Sequence, residues 1–211
     1  SRDPATVTIV NAAPVVTVPG GHPAPDGPVA VRTEVVRTVP VGDPGRGDAL
    51  TCTATWGDGA TSEGTVAGGV CTVRHRYTAA GVYRPSVTVR DDSGASATGV
   101  WPFVTVYQPR AGQVAGSGWS GTTDFAFVAT PRGGTAWVST PQGVFASSSL
   151  TPALILGPTA TFFGSGAGFT MQVTVIDGKK DRILIRIRDA RTGRLVHEVR
   201  DAHLDGGGIT V

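Results

Sequence analysis

The sequence predicts an all-β protein, and three observations carry that prediction. Thirty glycines and fifteen prolines among 211 residues, with frequent Thr and Val, are the composition of short strands joined by tight turns. Apolar and polar residues alternate over many short runs. No stretch sustains the i, i+3, i+4, i+7 spacing of an amphipathic helix. The length suits one large β domain or two of about a hundred residues each.

The bulk numbers exclude some partners. A net charge of +2 gives no general attraction to nucleic acid or to a membrane surface. No apolar run nears the roughly 20 residues of a transmembrane helix. The first residues carry no signal-peptide pattern, so Ser1 reads as a processed start or a boundary within a longer chain.

Taken in order, "ATVTIV" alternates as a strand and "NAAP" breaks it before "VVTVPGG". "PVAVRTEVV" follows as another strand, "VGDPGRGD" is a turn cluster, and "ALTCTATW" is the next strand. Asp58-Gly59 and Asp92-Ser93-Gly94 are turn residues, because short polar side chains and Gly tolerate positive φ. In "YRPSVTVRD", Tyr83, Pro85, Val87 and Val89 share one face while Arg84, Ser86, Thr88 and Arg90 share the other. Pro85 lacks an N–H and fits a strand start or an edge. The two cysteines, Cys52 and Cys71, admit one pairing if their strands lie side by side. Such a bridge contributes about 3 kcal/mol in the chain-entropy model. Two buried free thiols are the alternative.

"DPGRGDALTCTATWGDG" and "RHRYTAAGVYRPSVTVRDDSG" together resemble the PKD domain, an immunoglobulin-like β-sandwich of surface and secreted proteins. Trp56 and Asp58 stand in the family's turn, without its usual Phe, and His75, Tyr77, Gly81, Tyr83, Val87, Val89 and Asp91 fill the run that follows. The cysteine-bearing form is similar to modules in secreted proteins of high-GC Gram-positive bacteria. The resemblance spans residues 11 to 106 and implies a structural role for His75. Residues 1 to 10 are then either the tail of a preceding repeat or this domain's own first strand.

Residues 107 to 112 read as a linker, with Pro109 and a rise in Gly. Residues 113 to 211 read as a second antiparallel β domain, a sandwich or a meander barrel. Its expected strands are "TDFAFVA", "GVFASSSL", "ALILG", "TATFFGSG", "GFTMQVTVIDG", "DRILIRIRD" and "RLVHEVR". "DARTGR" is a hairpin turn with Gly193 at the positive-φ position. This half resembles a module that follows PKD repeats at the C-termini of such bacterial proteins, through Tyr107, Pro109, Ala111-Gly112, Gly116 to Trp119, "FAFV" and "GGGITV". The segment after Trp119 is shorter here, and the resemblance implies no chemistry.

The chemical signals are few. Most of the sixteen acids stand in turns, among them Asp43, Asp48, Asp58, Asp91, Asp92, Asp177 and Asp189. His197 and His203 lack metal-ligand spacing, and there is no Gly-x-Ser-x-Gly elbow. "GSGWSG" (residues 116 to 121) matches G-x-G-x-x-G, but a strand follows it rather than a helix, so it reads as a flexible junction. Arg46-Gly47-Asp48 spells an integrin tripeptide of the length that arises by chance. Asp43 and Asp48 are candidate calcium ligands, with Arg46 counting against them.

Two features are candidates for binding. Arg182, Arg186 and Arg188 share one strand face with Leu184, opposite Ile183, Ile185 and Ile187. Guanidinium groups so arranged grip carboxylate or phosphate polymers, whereas most charged strand faces are merely solvated. Trp119 and Trp137 are candidates for stacking on sugar rings, and Trp101 for the same or for a core.

The expected protein is a secreted or cell-surface, non-catalytic spacer or adhesive module without a cofactor. The other reading is a substrate-targeting appendage of a secreted hydrolase. Its partners are an extracellular polysaccharide, a cell-wall polymer, a protein, or a second copy joined head to tail through residues 1 to 10.

Overall fold

The computed structural model describes residues 11–18, 27–45, 48–110 and 112–211, all in strands, turns and connections. No helix of the described residues is long and apolar enough to cross a membrane. Residues 1 to 10, and with them the question of a preceding repeat or head-to-tail assembly, lie outside the described residues, as do Arg46 and Gly47.

The first half is a sandwich around one apolar core. One sheet has the order β1 (Val15–Val16), β3 (Glu34–Gly42), β7 (Val70–Arg76), β6 (Thr65–Ala67). The facing sheet runs β10 (Ser96–Val100), β9 (Ser86–Arg90), β4 (Thr51–Thr55), β5 (Thr61–Glu63). A third, small sheet at one end joins β2 (Val29–Ala30), β11 (Val104–Tyr107) and β8 (Gly81–Tyr83). Alternation fixes the core: Val35, Val39, Cys52, Ala54, Cys71, Val73, Val87 and Val89 all point inward. The run "PVAVRTEVV" is two strands, because Arg32 adopts φ 67° and turns the chain between them.

The cysteines are bonded, but their strands do not lie side by side. β4 and β7 belong to opposite sheets, and the disulfide crosses the sandwich with Cα atoms 6.4 Å apart. Gly64, where the chain passes from β5 in one sheet to β6 in the other, packs directly on it. Its N–H donates to the Cys52 carbonyl at 2.8 Å. A Cβ there would stand 2.5 Å from Cys52 Sγ and 2.7 Å from Val73 Cγ1.

The second half has its own core between two sheets, which makes it a sandwich rather than a closed barrel. The five-stranded sheet runs β15 (Gly143–Ser147), β14 (Gly133–Thr140), β13 (Thr123–Thr130), β12 (Val114–Ser120), β22 (Gly206–Thr210). The six-stranded sheet runs β16 (Ser149–Leu150), β18 (Thr159–Gly166), β19 (Phe169–Ile176), β20 (Arg182–Asp189), β21 (Leu195–His203), with β17 (Leu154–Leu156) also paired to β18. The expected turn at "DARTGR" is present, with Gly193 at φ 70°.

"GSGWSG" is not a flexible junction. Its residues 116 to 120 lie in β12, a nearly wholly buried strand, and Gly121 begins the turn after it. The glycines serve close packing: a Cβ on Gly116 would meet the Phe127 ring at 2.4 Å. Burial on both faces has a plain cause. The outer face of β12, β13 and β14 is covered by the first half, through β11 on β12 and β13 and through β8 on β13 and β14. Phe103 packs on Trp137 with ring centroids 4.2 Å apart, and the Arg84 guanidinium caps Phe103 from 5.6 Å. The Thr105 hydroxyl donates to the Gly116 carbonyl at 3.4 Å. The stretch expected as a linker therefore begins inside a packed strand, β11, which runs through Tyr107.

Candidate functional site

Covering one face of the second sandwich leaves the other open. Cross-strand register lays out that open face, since directly opposed residues share a side of the sheet. One row across β18, β19, β20 and β21 reads Phe163, Gln172, Arg186, Glu198. The next reads Ser149, Ser165, Thr170, Arg188, Leu195, beginning on β16. A third reads Leu154, Thr161, Thr174, Leu184, beginning on β17. The inward partners on β20 are Ile183, Ile185 and Ile187, each fully buried. A groove of about 520 Å³ opens over the first two rows, lined by Phe163, Ser165, Thr170, Gln172, Arg186 and Arg188.

Its apolar wall is unusual for a solvated face. Phe163 in the groove is 50% exposed, and on the same sheet face outside it Leu154 and Leu156, opposite Thr161 and Thr159, are 64% and 69% exposed. Its cationic wall is only partly neutralised. Glu198 accepts from Arg186 Nε at 2.8 Å and from Arg200 Nε at 2.6 Å, so two arginines share one carboxylate. Those two hydrogen bonds, Arg186 first, hold the Glu198 carboxyl below its usual range. Arg182 pairs with Asp201, which a bulge in β21 (φ 40° at Asp201) turns onto the arginine side. Arg188 donates to the Gly193 carbonyl at 3.0 Å and has no carboxylate partner among the described residues.

The tryptophans sit elsewhere. Trp137 is on the covered sheet, against Phe103. Trp119, half-buried on β12, lies over Gly206, where an added Cβ would stand 2.0 Å from the indole. Trp101 is in the first core. The structure thus brings Arg186 and Arg188 to one groove with Phe163, a residue that sequence reading passed over because its partners come from three other strands.

The signature residues of the first half form a packed aromatic end. Trp56 is fully buried and donates from Nε1 to Ser62 Oγ at 2.9 Å. His75 stacks on it at 5.0 Å and meets Asp58 Oδ2 at 2.7 Å through Nε2. Tyr77 donates to the Trp56 carbonyl at 3.0 Å and stacks on Tyr83 at 4.4 Å, beside Gly81. Burial pushes the Tyr77 hydroxyl far above its ordinary range. Burial also pushes Asp58 up, but the Ala60 N–H and His75 outweigh it and hold the carboxyl low. The rings of Trp56 and Tyr77 are buried, while His75 and Asp58 reach the surface at the cluster's rim.

A second histidine has a more suggestive pattern. His197 Nδ1 lies 2.9 Å from Gln142 Oε1 and Nε2 lies 2.7 Å from Thr123 Oγ1. An Nδ1–H donating to Gln142 leaves Nε2 to accept from Thr123, the polarity of a base and a hydroxyl nucleophile. Thr123 is 2% exposed, however, so substrate has no approach. Burial lowers the His197 pKa, and the trio ties the two sheets together.

At the far end of the first half, Asp43, Asp48 and Asp91 bring carboxylate oxygens within 4.8 Å of one another. Asp43 accepts from the Gly45 N–H at 2.6 Å through Oδ1, while its Oδ2 is buried and accepts nothing from the described residues. Asn11 donates to Asp91 at 2.7 Å, and this bond, first, holds Asp91 low. Burial and the neighbouring Asp43 raise Asp48. These three hard oxygen donors could hold a divalent cation such as Ca²⁺, which would need further oxygens to reach its six to eight ligands. Residues 43 and 48 were candidates from sequence; Asp91 joins them only through the fold.

Residues 11–105 match the family model described as PKD domain. No curated protein matches the chain. Among solved structures, one titled for the promiscuous specificity of carbohydrate-binding modules of the β-sandwich superfamily is 18% identical. It covers 90% of this chain and 84% of its own, with a TM-score of 0.37. The CbhA fibronectin(III)-like modules of Clostridium thermocellum are 11% identical, covering 88% and 90%, with a TM-score of 0.33. A Bacteroides ovatus mixed-linkage glucan utilization protein in complex with a heptasaccharide is 12% identical, covering 94% and 71%, with a TM-score of 0.30.

Proposed function

We propose the following role for a chain whose residues 11–105 are a PKD domain: a non-catalytic extracellular module that holds a saccharide-binding face away from whatever carries it. The observation that supports the reading is the open face of the six-stranded sheet. It presents a groove with an exposed aromatic ring and short hydroxyl and amide side chains on rigid strands. Sugars need that pairing, because a pyranose offers apolar C–H faces and a hydroxyl rim. The first half acts as a spacer and as a cover for the opposite sheet. Its disulfide favours a site of action in an oxidising compartment.

The His–Asp and Thr–His–Gln groups favour a structural reading, since His75 stacks on buried Trp56 and Thr123 is itself buried. Affinity electrophoresis tests the proposal: the whole chain is run through gels containing a panel of neutral and acidic polysaccharides. At least one polysaccharide should retard it, and Phe163→Ala with Gln172→Ala should abolish the retardation. Migration unaffected by every polymer, or retardation that survives both substitutions, would overturn it.

A further inference from the structure

We propose that the groove takes a carboxylate-bearing saccharide chain, with Arg188 and Arg186 holding the acid groups while a pyranose ring stacks on Phe163. The inference rests on the saccharide-binding reading above and names the ligand class.

Charge carries the argument. Four arginines stand on or beside this face, Arg182, Arg186, Arg188 and Arg200, against two carboxylates, Asp201 and Glu198. The excess is concentrated at the groove, where Arg188 has a backbone carbonyl for a partner and Arg186 shares its glutamate. A guanidinium has five N–H donors, so a single bond to Gly193 orients Arg188 without exhausting it. The remaining fork suits a carboxylate held by two parallel hydrogen bonds. A neutral sugar would desolvate Arg188 and return no counter-charge.

Geometry says how such a chain would lie. Phe163 on β18 and Arg186 on β20 stand in one register row, two strand spacings or about 10 Å apart. Gln172 stands between them, and Ser165 and Thr170 lead to Arg188 in the adjoining row. An extended chain crossing the strands meets a ring platform, then amide and hydroxyl groups, then a cation. Nucleic acid suits the face less well, because its repeated charge needs a longer cationic track than this groove and its two flanking carboxylates provide.

The test compares pentagalacturonate with its methyl ester by titration calorimetry on the full chain. The ester keeps every ring and removes every charge. Binding of the acid should weaken roughly tenfold or more on esterification, and by a similar factor in Arg188→Gln, as loss of a charge-assisted hydrogen bond requires. Phe163→Ala should weaken acid and ester alike. Thermal melts that match the parent show that the variants fold.

Equal affinity for acid and ester would overturn the acid assignment while leaving a saccharide site intact. Binding of neither overturns it too, and the gel panel then decides the broader reading separately. Acid binding that ignores Phe163→Ala and vanishes at physiological salt would be diffuse electrostatics and would overturn the site.

Discussion

At the scale of single residues, the electrostatics of Asp43, Asp48 and Asp91 are set by their convergence. Asp48 is raised by burial first and then by the negative charge of Asp43, so ionising it costs folding free energy at neutral pH. A divalent cation bound among the three carboxylates would remove that cost by supplying the missing positive charge. Calcium should therefore raise Tm, by about 1.4 kcal/mol of added stability at a tenfold excess over Kd, with EDTA reversing the shift. Asp48→Asn should weaken the response; a calcium-independent melt of the parent chain would remove the site. How much of this was legible differs residue by residue. Asp43 and Asp48 stand in one acidic turn and suggest themselves together. Asp91 also stands in a turn, and nothing local tells that this turn packs on the other. The same divide separates Arg186 and Arg188, which strand parity exposes, from Phe163, whose neighbours depend on the register of three further strands.

At the scale of elements, alternation found most of the strands, and close packing explains where it failed. β12 looks like a glycine-rich connection because the approach of Phe127 forbids a side chain at Gly116. β14 was passed over between two expected strands, although its ends are marked. Thr-Pro-x-Gly occurs at residues 130–133 and again at 140–143. In each turn the threonine hydroxyl donates to the glycine carbonyl, at 2.8 Å from Thr130 and 3.2 Å from Thr140. The repeated tetrapeptide is a signal for consecutive hairpins. Gly64 makes the energetic point. Its Cβ space is taken by Cys52 Sγ and Val73, and the Thr72 carbonyl lies 3.0 Å away. Gly64→Ala should cost about 1–3 kcal/mol by overpacking, read from the urea midpoint. An unchanged midpoint would mean that the sheet-switching strand yields easily and that the disulfide is not held against it.

At the scale of the molecule, the sheets stack so that β12, β13 and β14 of the five-stranded one have no free face, while Val144 on the edge strand β15 stays exposed. The inward side of that sheet builds the second core, and its outward side carries Ala126, Val128 and Trp137 beneath the first half. Residues 113–211 produced alone should therefore expose an apolar face, bind a hydrophobic dye and self-associate in size-exclusion chromatography, whereas the whole chain should do neither. A monomeric, dye-silent fragment melting at the parent temperature would show that the cover is dispensable. Proline and glycine near Tyr107 suggest a linker from residue 107, but β11 runs through Tyr107. Its packing was not legible, since no local pattern reports that β11 lies on β12.

That covered sheet also bears on inheritance. A cut between the halves would fall between two surfaces that shield each other, so the two should be inherited as a pair more readily than either alone.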